Sequence, residues 1–287
     1  MSELYAAVSN LKEASGAKTS VVCDVLDLSR SAYYAWKERD CTSRESRDTL
    51  LANQVHAIFW KHKRRYGARR IAAELADQGE NCSPRKVAQL LYSQGLRAQP
   101  KSFVPKTTNS RHRLGYSPNL LIDAAEPISC NDLWVGDISD IPLTDGRFCY
   151  LAVLMDRYSR RIVGWHLDQS MTEELVIPAL QAAIRERQPR PTMIHHSDRG
   201  GQYASTRYRA ILRRAGSRQS MNRADNCYDN AFMESCFGKL KTELEMTEYK
   251  NHRTARREIG EYVAYYNLDR KHSPRGYMTA HQFELLG

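Results

Sequence analysis

Three acidic residues stand in contexts that disfavour charge. Asp137 shares strand parity with Leu133, Val135, Ile141 and Leu143, so it interrupts an otherwise apolar face. A carboxylate there is expensive to bury unless it is paired or bound to a cation. Asp198 closes a strand-like stretch, 193–198, just before Gly200-Gly201, and functional groups concentrate at such strand ends beside flexible turns. Glu234 falls in a helical run whose apolar stripe is Met233, Phe237, Leu240 and Leu244, with Asp229 or Asn230 placed to cap it. Lys241 follows Glu234 by seven residues, two helical turns less about 20°, so the two face the same way about 10 Å apart along the axis. A carboxylate with such a lysine can hold a metal and the adjacent phosphate.

Other reactive side chains read as structural. His195 and His196 are adjacent on a strand and point to opposite faces, so they do not share an ion. The seven cysteines (Cys23, Cys41, Cys82, Cys130, Cys149, Cys227 and Cys236) form no CxxC pair. That argues for reduced thiols in a cytoplasmic protein and against a structural zinc site. Tyr265-Tyr266 reads as packing. Arg199, Asn226 and Tyr228 flank the acids and either contact nucleic acid or order the local turns.

The elements that must carry the acids follow from periodicity. Residues 133–143, 148–155, 161–167 and 193–198 read as strands, the first two joined by the turn Thr144-Asp145-Gly146-Arg147. Helices fit 172–187, capped by Thr172 with Glu173 and Glu174 in its first turn, then 206–215 and 229–246. Three strands followed by helix, strand and helix make an α/β or α+β domain with a mixed sheet. Upstream, 19–39 reads as two short helices, the second capped by Ser29. Three more helices follow over 44–98: the first carries Leu50, Leu51, Val55, Ile58 and Phe59; the second carries Ile71 and Leu75 and ends at Gly79; the third starts at Ser83-Pro84. Arg85 and Lys86 lie in the opening turn of that last helix, the end that a recognition helix presents to DNA.

Charge and composition set the partner class. Of 287 residues, 43 are Lys or Arg and 33 are Asp or Glu, a net charge of +10. The stretch 61–113 holds thirteen basic residues, Arg64, Arg65, Arg69, Arg70, Arg85 and Lys86 among them, against Glu74, Asp77 and Glu80. This one block accounts for the whole net charge, and it attracts a polyanion by releasing its counterions. No run approaches the roughly 18 apolar residues of a membrane span, and the first residues lack the pattern of a signal peptide. Pro100, Pro105 and Pro118, with Thr107, Thr108, Asn109 and Ser110, mark a basic linker over 101–128.

At the level of motifs the chain resembles a known family. His195-His196-Ser197-Asp198-Arg199-Gly200-Gly201-Gln202-Tyr203 is similar to the signature around the second acid of DDE transposases, and 225–235 to that around the third. Trp134-Val135-Gly136-Asp137-Ile138 resembles the first-acid motif, and Tyr265-Tyr266-Asn267 with Arg270, His272 and Ser273 the C-terminal one. Thirty-five residues separate Asp198 from Glu234, the spacing of retroviral integrases and their bacterial relatives. The nearest pattern is the OrfB-type transposase of bacterial insertion sequences, over about 45–285. The sequence departs from it at Gly201, where Ser is usual, and at Asp140, a competing carboxylate of opposite strand parity to Asp137.

That resemblance implies an α/β, RNase H-like mixed five-stranded sheet with flanking helices, preceded by all-α helix-turn-helix domains. The implied divisions are 1–42 helix-turn-helix-like, 43–100 a second such DNA-binding domain, 101–128 linker, 129–248 the DDE catalytic core and 249–287 a C-terminal helical segment. It implies Asp137, Asp198 and Glu234 as catalytic metal ligands for two Mg²⁺, with Mn²⁺ able to substitute and no zinc. The implied reaction is cleavage of element ends to free a 3′-OH, then strand transfer into target DNA. DNA contacts fall to Lys241, Arg199, Asn226, Tyr228, Arg64, Arg65, Arg69, Arg70, Arg85 and Lys86. The implied partners are double-stranded DNA (terminal inverted repeats and target), further copies of the chain on paired ends, and an upstream OrfA protein or frameshift fusion; no membrane is involved. Two readings compete: an inert DNA-binding regulator, separated by an absence of nicking with Mg²⁺, and an RNase H-type nuclease that cuts without joining.

Overall fold

The computed structural model describes residues 2–37, 43–99, 115–122, 125–223, 231–244 and 248–286. Two helical units lead the chain. In the first, α1 (Ser2–Ser15), α2 (Thr19–Val25) and α3 (Arg30–Lys37) pack Tyr5, Val8, Val22, Cys23 and Tyr33 into a small core. Asp27, in the left-handed region at φ +52°, turns the chain between α2 and α3, and Ser29 Oγ accepts from Ala32 N at 3.4 Å. The second unit comprises α4 (Ser43–Lys61), α5 (Ala68–Asp77) and α6 (Pro84–Ser93) around Val55, Phe59, Ile71, Leu75, Val87 and Leu91. The α6 start follows the pattern read from Ser83-Pro84: Ser83 Oγ accepts from Lys86 N at 3.2 Å and Pro84 opens the helix.

The sheet contains β1 (Leu133–Pro142), β2 (Phe148–Asp156), β3 (Ile162–Asp168), β4 (Ile194–Ser197) and β5 (Arg218–Met221), in spatial order β3-β2-β1-β4-β5. β1–β2 and β2–β3 are antiparallel; β1–β4 and β4–β5 are parallel. One face is covered by α7 (Glu173–Arg187), α8 (Gly201–Ala204) and α9 (Thr206–Arg214), which bury Trp134, Leu154 and Val163 against Leu175, Leu180, Tyr208 and Leu212. The other is covered by α10 (Ala231–Glu243) and α11 (His252–Leu268), which bury Val135, Ile141, Leu151 and Val153 against Met233, Phe237, Leu240 and Ile259. Each fully buried Leu, Val or Phe contributes about 1.5–3 kcal/mol, so these two faces dominate the core. The chain closes with α12 (Ala280–Leu286).

Three differences from the sequence reading have physical reasons. β5, Arg218-Gln219-Ser220-Met221, has no strand-like alternation; backbone pairing to β4 defines it. Helices α1 and α8 were not read from the sequence, the latter being a single turn. Thr172 stands at the start of α7, but its side chain makes no capping hydrogen bond. The proposed α10 caps, Asp229 and Asn230, and most of the 101–128 linker lie outside the described residues.

Candidate active site

The central strand and its parallel neighbour carry two of the acids. β1 and β4 run parallel with Val135 opposite His196. Asp137 and Asp198 each stand two residues further on, on strands separated by roughly 4.8 Å. Both are half-buried. Asp137 takes the parity of Val135, toward α10, as the alternation predicts; its Oδ1 accepts from Ile138 N at 2.9 Å. Asp198 follows β4 directly, and its Oδ1 accepts from Gly200 N at 3.0 Å in an Asx-type turn. A Cβ at Gly200 would sit 3.0 Å from that oxygen and 2.7 Å from Gln202 Oε1, so a larger residue there would crowd the Asp198 carboxylate and displace the Gln202 side chain.

Beneath these acids lies a buried aromatic floor. Tyr203 is fully buried, and burial raises its hydroxyl pKa well above the ordinary range; neighbouring Tyr208 and the charges of Asp137 and Asp198 push the same way. His195 is buried on the same side, with its Nε2 2.7 Å from the Tyr208 hydroxyl. Burial, reinforced by His196, pushes its pKa down to about 3 and keeps the ring neutral. His196 points to the opposite face, Nε2 donating to Asn222 Oδ1 at 2.7 Å and Nδ1 lying 2.8 Å from Ser220 Oγ. Both histidines are held by side chains of the fold, as strand alternation requires.

Two basic groups flank the acids. Arg199 donates from Nε to the Asn222 carbonyl at 2.6 Å and lies 4.6 Å from the centre of the Tyr116 ring, tying the Asp198 turn to the end of β5. Lys241 on α10 is half-buried, and burial lowers its pKa. The charges of Asp140 and then Asp137 act in the opposite direction. Asp140, of the other strand parity, therefore shares this electrostatic environment.

Glu234 occupies the first turn of α10, where the helix dipole favours an acid, and its side chain is exposed. Among the described residues, no group of three His, Cys, Asp or Glu side chains is close enough to hold one ion. The structure thus puts Asp137 and Asp198 on neighbouring segments of the sheet, sets α10 against β1, and leaves the Glu234 side chain exposed. Asn226 and Tyr228 lie outside the described residues.

The basic residues of the second helical unit divide into two sets. Arg64, Arg69 and Arg85 are exposed, while Lys86 is ion-paired with Asp48 at 2.7 Å. Arg65 and Arg70 turn inward. Arg65 donates from Nε to the Glu243 carbonyl at 2.9 Å, and its guanidinium lies over Tyr265 at 4.6 Å. Arg70 lies 3.5 Å from the Glu243 carboxylate. Local sequence does not reveal this division, because the partners lie more than 170 residues away in the chain.

The Integrase core domain family matches residues 129–227, a second Integrase core domain family matches 215–279, and the HTH-like domain family matches 45–102. The chain is 37% identical over 264 residues to the IS600 uncharacterized 31 kDa protein of Shigella sonnei, covering 91% of this chain and 97% of that one. It is also 37% identical over 237 residues to the transposase for insertion sequence element IS904 of Lactococcus lactis subsp. lactis, covering 82% and 93%. The transposase InsF for IS3A of Escherichia coli is 37% identical over 267 residues, with 92% of each chain covered. Among solved structures, a chain of the simian T-cell lymphotropic virus intasome aligns at a TM-score of 0.47 and 16% identity, covering 80% of this chain and 74% of that one.

Proposed function

The chain belongs to the integrase-core transposases of insertion sequences, and from that premise we propose that it cuts the ends of its element and joins the freed 3′-OH to target DNA. The observation that carries this reading is the register of β1 and β4, which sets Val135 opposite His196 and so puts Asp137 and Asp198 each two residues further along neighbouring parallel segments. Two half-buried carboxylates offering only oxygen ligands fit a hard divalent cation. Asp137, Asp198 and Glu234 would hold Mg²⁺, or Mn²⁺ in its place. When bound, two such ions supply activation of the attacking oxygen and neutralisation of phosphate charge.

The protein's own groups define the path of the DNA. Water attacks the phosphodiester at the element end; the bond from phosphorus to the 3′ oxygen breaks, leaving a 3′-OH and a 5′-phosphate. That hydroxyl then attacks a target phosphodiester in line, forming a new P–O bond and releasing a target 3′-OH. Lys241, on which the charges of Asp140 and Asp137 act, steadies the scissile phosphate, and Arg199, Asn226 and Tyr228 order the strand next to it. Arg64, Arg69, Arg85 and Lys86 of the helical unit contact the duplex of the terminal repeats. Copies of the chain associate on paired ends, and an upstream OrfA protein or fusion adds sequence-specific binding.

The test incubates the purified chain with labelled element ends and Mg²⁺, with and without the upstream partner. Asp137→Asn, Asp198→Asn and Glu234→Gln should each lower cleavage and joining by about a thousandfold or more while end binding survives. Full activity in any one of them contradicts the assignment of that acid.

A further inference from the structure

The last turn of α10 holds a densely bonded buried carboxylate, Glu243, at the opposite end of the helix from Glu234. The Glu243 carboxylate, buried, accepts from Arg270 Nε at 2.8 Å and Nη2 at 2.6 Å, and from the Tyr262 hydroxyl at 3.1 Å. Arg270 is itself 1% exposed. These contacts come from α11 and the segment after it. The remaining ones come from the second helical unit: Arg70 on the carboxylate at 3.5 Å, and Arg65 Nε on the Glu243 carbonyl at 2.9 Å. That carbonyl is one of the four at a helix end with no partner inside the helix, and a cation there also suits the helix dipole.

The same two units meet along a continuous seam. The Tyr66 hydroxyl donates to the Asp269 carbonyl at 3.0 Å and accepts from Lys271 N at 2.8 Å. The His62 ring stacks on Tyr66, with centroids 3.7 Å apart, and its Nδ1 lies 3.2 Å from the Tyr265 hydroxyl. Lys271 is ion-paired with Asp77. Left-handed backbone at Lys63 and Arg64, φ +49° and +62°, bends the chain after α4 and delivers Arg65 and Tyr66 to this seam.

We propose that Arg65 and Arg70, through Glu243 and Arg270, are positioning residues: they clamp the far end of the helix that carries Glu234 and so couple the seating of the DNA-recognition unit to the approach of that acid toward Asp137 and Asp198. This rests on the reading of Glu234 as the third acid. The basic block then has two functions: exposed arginines face the duplex, and inward ones report through α10 that the recognition unit is in place.

The experiment uses the full chain and the double variant Arg65→Ala/Arg70→Ala, with Arg65→Ala alone as the milder form. Hydrogen exchange of the free protein should quicken by about tenfold or more over 238–244, with β1–β3 unchanged. With element ends, kcat for joining should fall by about tenfold while KM for DNA stays within about twofold. The salt dependence of end binding should keep its slope, whereas Arg64→Ala/Arg69→Ala should lower that slope by about two and leave exchange in α10 unchanged. Unchanged exchange over 238–244, or a slope lowered by about two in Arg65→Ala/Arg70→Ala, overturns the coupling and makes these two arginines something other than positioning residues. The exchange arm involves no catalysis, so its result stands whether or not the wild-type chain joins DNA.

Discussion

The Asp137 and Asp198 carboxylates are aimed by residues that are themselves unreactive. Gly200 lets the Asp198 turn close on its own oxygen, and Arg199 fastens that turn to Asn222. Gly136 acts from below: a Cβ there would lie 2.8 Å from His195 Cε1 and 3.6 Å from the Tyr203 hydroxyl. Gly136→Ala should therefore displace the neutral His195 ring and Asp137 with it, costing about 1–3 kcal/mol of stability in chemical denaturation. A variant as stable as wild type contradicts the tight floor. Lys241→Ala removes the cation on which the charges of Asp140 and Asp137 act; joining should drop by about tenfold and end affinity should weaken, both measured in a strand-transfer assay. No change in either removes Lys241 from the site. The place of Asp137 on the first strand was legible in the sequence, because a charge on an apolar strand face stands out against alternation. The inward turn of Arg65 and Arg70 was not: a basic residue looks the same locally whether it meets phosphate or a buried glutamate.

At the scale of elements, α7 is packed against β3 with no room for even one added methyl group. A Cβ at Gly164 would lie 2.4 Å from the Ala179 carbonyl oxygen and 3.0 Å from Ala183 Cβ. Gly164→Ala should force the helix off the sheet and lower stability by about 1–3 kcal/mol, read as a lower Tm. An unchanged Tm contradicts this packing. The helical unit has its own acid-sensitive clamp. His62, with Nε2 3.6 Å away, and Lys61, at 2.8 Å, hold the half-exposed end of α4 to Glu74 and bring its carboxyl down from 4.5 to about 2, against the opposing effect of burial. A lowered folded pKa stabilises the protein above the ordinary carboxylate range, and that stability is lost as pH falls from 4.5 toward 2. The stability gap between wild type and Glu74→Gln, on the order of 3 kcal/mol at about pH 6, should narrow steadily below about pH 4 in denaturant titrations. A gap independent of pH contradicts the clamp. Elements with strong periodicity, β1, β2, α7 and α6 with its Ser-Pro start, were visible in the sequence. β5 was not, since Arg218 and Gln219 become strand only by pairing with β4.

At the scale of the whole molecule, a +10 chain carries its excess charge in the second helical unit and the linker, while Asp137 and Asp198 lie in the sheet domain and Glu234 on α10. No described helix is long and apolar enough to cross a membrane. Binding to DNA ends should therefore be strongly salt-dependent, and Arg85→Ala should lower the log–log slope by about 0.9 while leaving cleavage of bound ends intact. An unaltered slope places Arg85 away from phosphate. Among the described residues the three acids do not form one cluster: Asp137 and Asp198 lie on neighbouring segments of the sheet, and Glu234 is exposed on α10. The account holds that DNA completes the trio. The most direct check is Mn²⁺ anomalous scattering from crystals of the chain on its element ends. The account predicts two peaks about 3.5–4 Å apart, bounded by Asp137 and Asp198 on one side and by an inward-turned Glu234 on the other. Ions absent from between the strands, or Glu234 still exposed with DNA and Mn²⁺ both bound, would contradict it.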